Sequence, residues 1–95
     1  MDVRDVAKIH YLGLVNDSMV GKRWWAVSEP FGWNKIYGIL RKHSPGANIP
    51  DDYEGGETDR QLIDNSASTA ILGGWIPLQK SIVDTVESYK RFGLL

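Results

Sequence analysis

Residues 77–93, with the sequence PLQKSIVDTVESYKRFG, carry the clearest fold signal in this chain. Pro77 suits the first turn of a helix, where its missing N–H is not needed, and Gly93 suits the position just after a helix end. Between them, apolar side chains recur at helical spacing: Leu78, Ile82, Val83, Val86, Tyr89 and Phe92. Side chains with this spacing share one face of a helix. The segment therefore predicts an amphipathic α-helix.

The same periodicity extends to the start of the chain. Asp2 is a good N-cap residue, and residues 2–15 predict a first helix. Its expected inner face consists of Val3, Val6, Ala7, His10, Tyr11 and Leu14. Asn16, Asp17 and Ser18 then favour a turn.

Two further helices are predicted in the middle of the chain. Ser28 as N-cap and Pro30 in the first turn indicate a helix that runs through Lys42, with Gly32 and Gly38 marking close approach of a neighbouring helix. Thr58 or Asp59 would begin another helix, which Gly73 and Gly74 would end. The expected fold class is all-α, a compact bundle of about four helices. Residues 19–27 fit either a helix or one short strand near Trp24.

Length and composition place further limits on the chain. Its 95 residues predict a single small domain, residues 1–95, and the 42% hydrophobic content predicts a true core. The absence of cysteine excludes disulfides and thiolate metal sites. The charged residues at positions 1–5 predict neither a signal peptide nor a lipid anchor, and no apolar run is long enough to span a bilayer. We therefore expect a cytoplasmic protein that does not bind membranes.

An aromatic and basic segment, residues 22–43, is the most distinctive candidate for function. It holds three of the four tryptophans and five basic residues against the single acid Glu29. Because neighbouring side chains point in different directions on a helix or a strand, Trp24 and Trp25 cannot form one platform. One of the two is expected in the core and the other at the periphery, and the sequence leaves open which is exposed.

An acidic stretch follows this segment. Residues 44–57 contain prolines, glycines and four acids, which predicts a long and mobile loop. The spacing of Asp51, Asp52 and Glu54 does not match a calcium-binding loop. The loop is expected to be solvated, to bind a partner, or to fold back on Lys22, Arg23, Arg41 and Lys42.

Catalytic motifs are missing from the sequence. It has no Gly-x-Ser-x-Gly elbow, no phosphate-binding loop and no Gly-x-Gly-x-x-Gly fingerprint. His10 and His43 are too few for a zinc site, and a pairing of His43 with Asp51 or Asp52 rests on proximity in sequence alone. These observations predict a protein that is not an enzyme and that needs no cofactor or metal.

The resulting expectation is a non-catalytic accessory protein, such as an inhibitor, an adaptor or a subunit of a larger assembly. A protein partner is expected at the following residues: Lys22, Arg23, Trp24, Trp25, Trp33, Tyr37, Arg41, Asp51, Asp52 and Glu54. The alternative is a nucleic-acid-binding module that uses residues 22–25 with Arg41 and Lys42. Because the aromatic content is high for so short a chain, a homo-oligomer is a further expectation.

Overall fold

The computed structural model describes residues 1–59 and 61–95. Its elements are α1 (Val3–Val15), a short 3₁₀ helix (Asp17–Met19), α2 (Trp33–His43), α3 (Ser66–Leu72) and α4 (Leu78–Arg91). No strand forms in these two ranges, which confirms the predicted all-α class. The helices belong to two compact units: unit 1 (Met1–Glu29 and Ile63–Pro77) and unit 2 (Pro30–Leu62 and Leu78–Leu95).

The first helix of unit 1 begins where the sequence predicts. Asp2 is its N-cap, and the Asp2 carboxylate accepts a hydrogen bond of 2.9 Å from the backbone N–H of Arg4. The buried side of the helix, however, carries Asp5 and Ile9. The predicted inner face is wrong, because Tyr11 is 62% exposed and Leu14 is 87% exposed.

Two hydrogen bonds explain why α1 buries a different side from the one predicted. Asp5 accepts a hydrogen bond of 2.8 Å from the backbone N–H of Ile76, and Lys8 Nζ donates one of 2.7 Å to the carbonyl of Leu72. Both bonds turn the Asp5 and Lys8 side of the helix toward residues 72–76. Hydrophobic spacing alone carries no information about such long-range hydrogen bonds.

The core of unit 1 is small. Ile9, Met19 and Leu72 are buried together, and partly buried side chains pack around them: Leu12, Trp24, Ala26, Ile71 and Trp75. The indole N–H of Trp24 donates to the carbonyl of Met19 at 3.1 Å. Trp24 is therefore the inward-facing member of the Trp24–Trp25 pair.

Residues 22–32 form neither of the elements predicted near Trp24. Their backbone is irregular, and Asn65 Nδ2 donates to the carbonyls of Val27 at 2.6 Å and Ser28 at 2.9 Å. A side chain thus satisfies carbonyl groups that a strand would have paired with a neighbouring strand.

The third helix is shorter than predicted. It begins at Ser66, whose N–H and hydroxyl both donate to the Asp64 carboxylate, at 3.0 and 2.7 Å. Leu62, which the longer predicted helix would have included, is 87% exposed, and Arg60 lies outside the described residues. The predicted end is correct, because Gly73 closes the helix with a left-handed φ of 79°.

Unit 2 is built on α2 packed against α4. The predicted last helix forms as α4, but Tyr89 and Phe92, which were expected on its apolar face, are 48% and 65% exposed. Ile36 of α2 and Leu78 of α4 are the buried apolar residues of this unit. The prediction that α2 begins at Ser28 is wrong, because the helix starts at Trp33 with Gly32 as N-cap. Among the helices of the described chain, none combines the length and apolar character needed to cross a membrane.

Candidate functional site

A concave site in unit 2 lies where the first turn of α2 meets the loop that follows the helix. This aromatic pocket, of about 340 Å³, is lined by three aromatic residues, Phe31, Trp33 and Tyr53, and by three glycines, Gly32, Gly55 and Gly56. Its polar groups are Thr58 and Asp59. Its volume lies near the lower end of the range for small-molecule sites, and Trp33 and Tyr53 remain 55% and 49% exposed.

Asn34 holds the loop against α2. Its side-chain Nδ2 donates to the carbonyl of Tyr53 at 2.8 Å, and its Oδ1 accepts from the N–H of Tyr53 at 3.1 Å. Its backbone N–H donates to the carbonyl of Gly56 at 2.9 Å. These three hydrogen bonds between Asn34 and the backbone of Tyr53 and Gly56 hold the turn at residues 53–56 against α2.

Two glycines allow this close approach. A Cβ on Gly32 would overlap the backbone at Gly56, Glu57 and Thr58. A Cβ on Gly56 would meet the Asn34 side chain and the ring of Tyr53 at 2.8 Å. The prediction that Gly32 and Gly38 mark a close helix approach is therefore wrong: Gly32 meets a loop, and the space over Gly38 is open.

The acidic segment folds back on α2 at one arginine. Arg41 Nη1 donates to the carbonyl of Pro50 at 2.7 Å, and Arg41 Nη2 pairs with the Asp52 carboxylate. One predicted alternative was that the acidic loop folds back on basic residues of the preceding segment, and this contact forms at Arg41. Exposed ion pairs of this type contribute only about 0–1 kcal/mol each.

The residues predicted to bind a partner fall in both units. Unit 1 holds Lys22, Arg23, Trp24 and Trp25, and unit 2 holds Trp33, Tyr37, Arg41, Asp51, Asp52 and Glu54.

Within unit 1, Trp25 is 47% exposed and the Arg23 guanidinium lies over its ring, 5.9 Å from the centroid. Within unit 2, the ring centroids of Trp33 and Tyr37 are 6.2 Å apart. Binding of a protein, of nucleic acid or of a second copy at these residues stays a prediction.

Sequence reasoning misses most of the aromatic pocket. Local patterns place Phe31 on a helix face, and Tyr53, Gly55 and Gly56 in a solvated loop. Asn34, Thr58 and Asp59 belong to no motif that indicates a binding site. The only signal in the sequence is an aromatic residue beside a glycine pair, which by itself does not separate a pocket from a flexible loop.

His43 does not pair with Asp51 or Asp52. Its Nε2 lies 2.9 Å from Glu87 Oε1, and Lys90 Nζ donates to the same oxygen at 2.9 Å. The hydrogen bond from Lys90, followed by the bond to His43, lowers the pKa of Glu87. Within residues 1–59 and 61–95, no three metal-ligating side chains come together.

Comparisons with known proteins give a small number of partial matches. A protein of Candida albicans that carries the provisional name NADPH-dependent methylglyoxal reductase is 31% identical over 93 residues, which cover 90% of this chain and 27% of that protein. Ketoreductases of Penicillium roqueforti and Penicillium rubens are 37% and 35% identical over 51 residues, which cover 53% of this chain and 15% of each relative.

This chain therefore spans about a quarter of the length of the Candida albicans relative and less than a fifth of each ketoreductase. No family model matches the chain, and no solved structure is significantly similar to it.

These relatives correct one prediction. The sequence motifs indicate a protein that is not an enzyme, whereas the relatives are named as reductases and point to an oxidoreductase family. The prediction is wrong because it relies on the absence of catalytic motifs. Such motifs need not lie in a stretch that matches about a quarter of a longer relative.

Proposed function

We propose that this chain is a helical portion of an NADPH-dependent carbonyl reductase, and that its aromatic pocket contacts the carbonyl substrate. The observation that carries the proposal is the similarity to the methylglyoxal reductase of Candida albicans, which extends over 90% of the chain. The two ketoreductases support the same reaction class.

The chemistry of the aromatic pocket suits such a substrate. The rings of Phe31, Trp33 and Tyr53 remove water from the carbon skeleton of a ketone or aldehyde. The Thr58 hydroxyl, which donates to the carbonyl of Asp59 at 3.3 Å, can turn to donate to a carbonyl oxygen of the substrate. A single hydroxyl donor among aromatic side chains can orient the carbonyl group of a substrate without binding the substrate tightly.

The described residues do not fit a dinucleotide site. Such sites place a glycine-rich turn between a strand and a helix, so that the pyrophosphate meets free N–H groups of the helix. No strand is present in residues 1–59 or 61–95, and the first turns of α1 and α2 already donate to Asp2 and to the carbonyl of Gly56. We therefore assign no part of hydride transfer to these residues and confine the proposal to substrate contact.

A chimera tests the proposal. This chain would replace the 93-residue aligned stretch in the Candida albicans protein. Oxidation of NADPH would then be followed by absorbance with methylglyoxal as substrate. We expect the chimera to reduce methylglyoxal. The Trp33→Ala variant should raise KM on the order of tenfold, since loss of an aromatic wall removes about 1.4 kcal/mol or more of binding.

Trp25→Ala is the matched control, because Trp25 is similarly exposed, at 47% against 55% for Trp33, and lies outside the aromatic pocket. This variant should leave KM unchanged. A chimera that has native helical content and binds NADPH but does not reduce methylglyoxal would contradict the proposal. Equal effects of the two tryptophan substitutions would contradict the role of the pocket.

A further inference from the structure

The side of α1 that faces away from the core of unit 1 is apolar. Val3 is 78% exposed, Tyr11 is 62% exposed and Leu14 is 87% exposed, and Ala7 is exposed as well. At about 100° of rotation per residue, these four positions fall within about 80° of the helix circumference. Together they form one continuous surface, the outer face of α1.

The outer face lies opposite the packed side of the helix. Asp5 and Ile9, the buried residues of α1, point about 180° away from the centre of the outer face. The helix therefore carries apolar side chains on two opposite sides. A helix with this distribution is normally covered on both sides, because a single contact leaves one apolar side in water.

Charged side chains are confined to the rest of the helix. Every residue of α1 is described by the structure, and none of its charged residues falls within the outer face. Each of them has a contact of its own: Arg4 pairs with Asp2 at 2.8 Å, Lys8 donates to the carbonyl of Leu72, and Asp5 accepts from Ile76. An apolar surface without charge is typical of a permanent interface rather than a transient one.

The similarity to the Candida albicans reductase indicates what covers this face. The aligned stretch is 27% of that protein, so about three quarters of it lies outside the part that corresponds to this chain. A second copy of the chain fits less well. Antiparallel pairing of two α1 helices through their outer faces would bring together the two Lys8 residues, which lie near the same edge at the middle of each helix.

From these observations we propose that the outer face of α1 docks onto the remaining polypeptide of a longer carbonyl reductase, at an apolar and uncharged surface of that polypeptide. Val3, Tyr11 and Leu14 supply most of the contact, and the small side chain of Ala7 lets the two surfaces approach. This inference rests on the proposed function, which assigns the chain to such a reductase. It also explains the apolar periodicity of α1, because the face that the sequence predicts to be buried is then buried outside this chain.

Single-cysteine variants test the contact, because the chain has no cysteine of its own. Leu14→Cys is made in the full chain and in the chimera with the Candida albicans protein, and its alkylation by iodoacetamide is followed by mass spectrometry of the peptide that contains residue 14. We expect alkylation in the chimera to be slower by on the order of tenfold or more, since thiol reactivity depends on exposure. Ala70→Cys, at an exposed position of α3 in the same unit, is the control and should react equally fast in both proteins.

Leu14→Lys gives a second measurement. In the chain alone, this change should leave the thermal midpoint within about 1 °C, because residue 14 lies in water. In the chimera it should lower the midpoint by about 5 °C or more, because it places a charge in an apolar contact.

Two results would overturn the inference. The first is equally fast alkylation of Leu14→Cys in the chain alone and in the chimera. The second is slow alkylation in the chain alone, which would mean that the chain itself or a second copy covers the face; this measurement holds even for a chimera that does not fold.

Neither measurement depends on catalysis. A chimera that protects residue 14 but does not reduce methylglyoxal would contradict the proposed activity alone. A chimera that reduces methylglyoxal and leaves residue 14 reactive would contradict the docking of α1 alone.

Discussion

Gly32 is the residue on which the aromatic pocket depends most directly. We predict that Gly32→Ala lowers the free energy of unfolding by about 1–3 kcal/mol, because the added methyl group overlaps the backbone of residues 56–58. Chemical denaturation followed by circular dichroism measures this. Gly46→Ala is the control, since a methyl group there meets open space. Equal stability of the two variants would mean that the loop does not pack closely against Gly32.

Asp5 is a buried carboxylate, only 6% exposed, whose oxygen accepts from the N–H of Ile76 at 2.8 Å. We predict that Asp5→Ala destabilises the fold by about 1–3 kcal/mol, because it leaves that part-buried N–H without its acceptor. Asp51→Ala, at an exposed acid of the loop, should change stability far less. Faster hydrogen exchange at Ile76 in the Asp5→Ala variant alone would assign the loss to this bond.

At the scale of the element, α1 and α2 each contain a glycine with open space around it. We predict that Gly13→Ala and Gly38→Ala each raise the free energy of unfolding by up to about 1 kcal/mol, since alanine is the better helix former. Thermal and urea unfolding measure the change. A loss of stability at either position would show that the helix is held by a contact that requires glycine.

Some helix boundaries in this chain can be predicted from the local sequence, and others cannot. The N-cap at Asp2 and the stop at Gly73 are predictable, because each depends on residues within one turn. The start of α2 is not, since Ser28 and Pro30 form a good local start signal. The helix instead has Gly32 as its N-cap, and the N–H of Asn34 in its first turn donates to the carbonyl of Gly56.

At the scale of the whole molecule, we predict a loss of stability in acid. Hydrogen bonds from Lys90 and His43 lower the pKa of Glu87 below its ordinary 4.5, and bonds from the Ser66 hydroxyl and N–H lower the pKa of Asp64 below 3.8. A depressed pKa in the folded state stabilises the fold above the ordinary value, and the contribution disappears as pH falls through the folded-state pKa.

The free energy of unfolding should therefore fall as pH decreases below about 4.5. Glu87→Gln should flatten part of this dependence, whereas Glu54→Gln, at an exposed acid in the loop, serves as the control. Urea denaturation at a series of pH values measures both. An unchanged slope in Glu87→Gln would show that the contacts to Lys90 and His43 do not affect stability.

The sequence by itself determined the helical class, the last helix, the cap at Asp2 and the inward position of one tryptophan of the Trp24–Trp25 pair. Each follows from spacing or capping within a few residues. Only the tertiary structure decided which side of α1 is buried, that Trp24 is the tryptophan packed against the core, and that Asn34 holds the backbone of Tyr53 against α2. These features depend on hydrogen bonds that join residues 5 to 71 positions apart and on close contacts at Gly32 and Gly56. Hydrophobic periodicity in the sequence carries no information about either kind of contact.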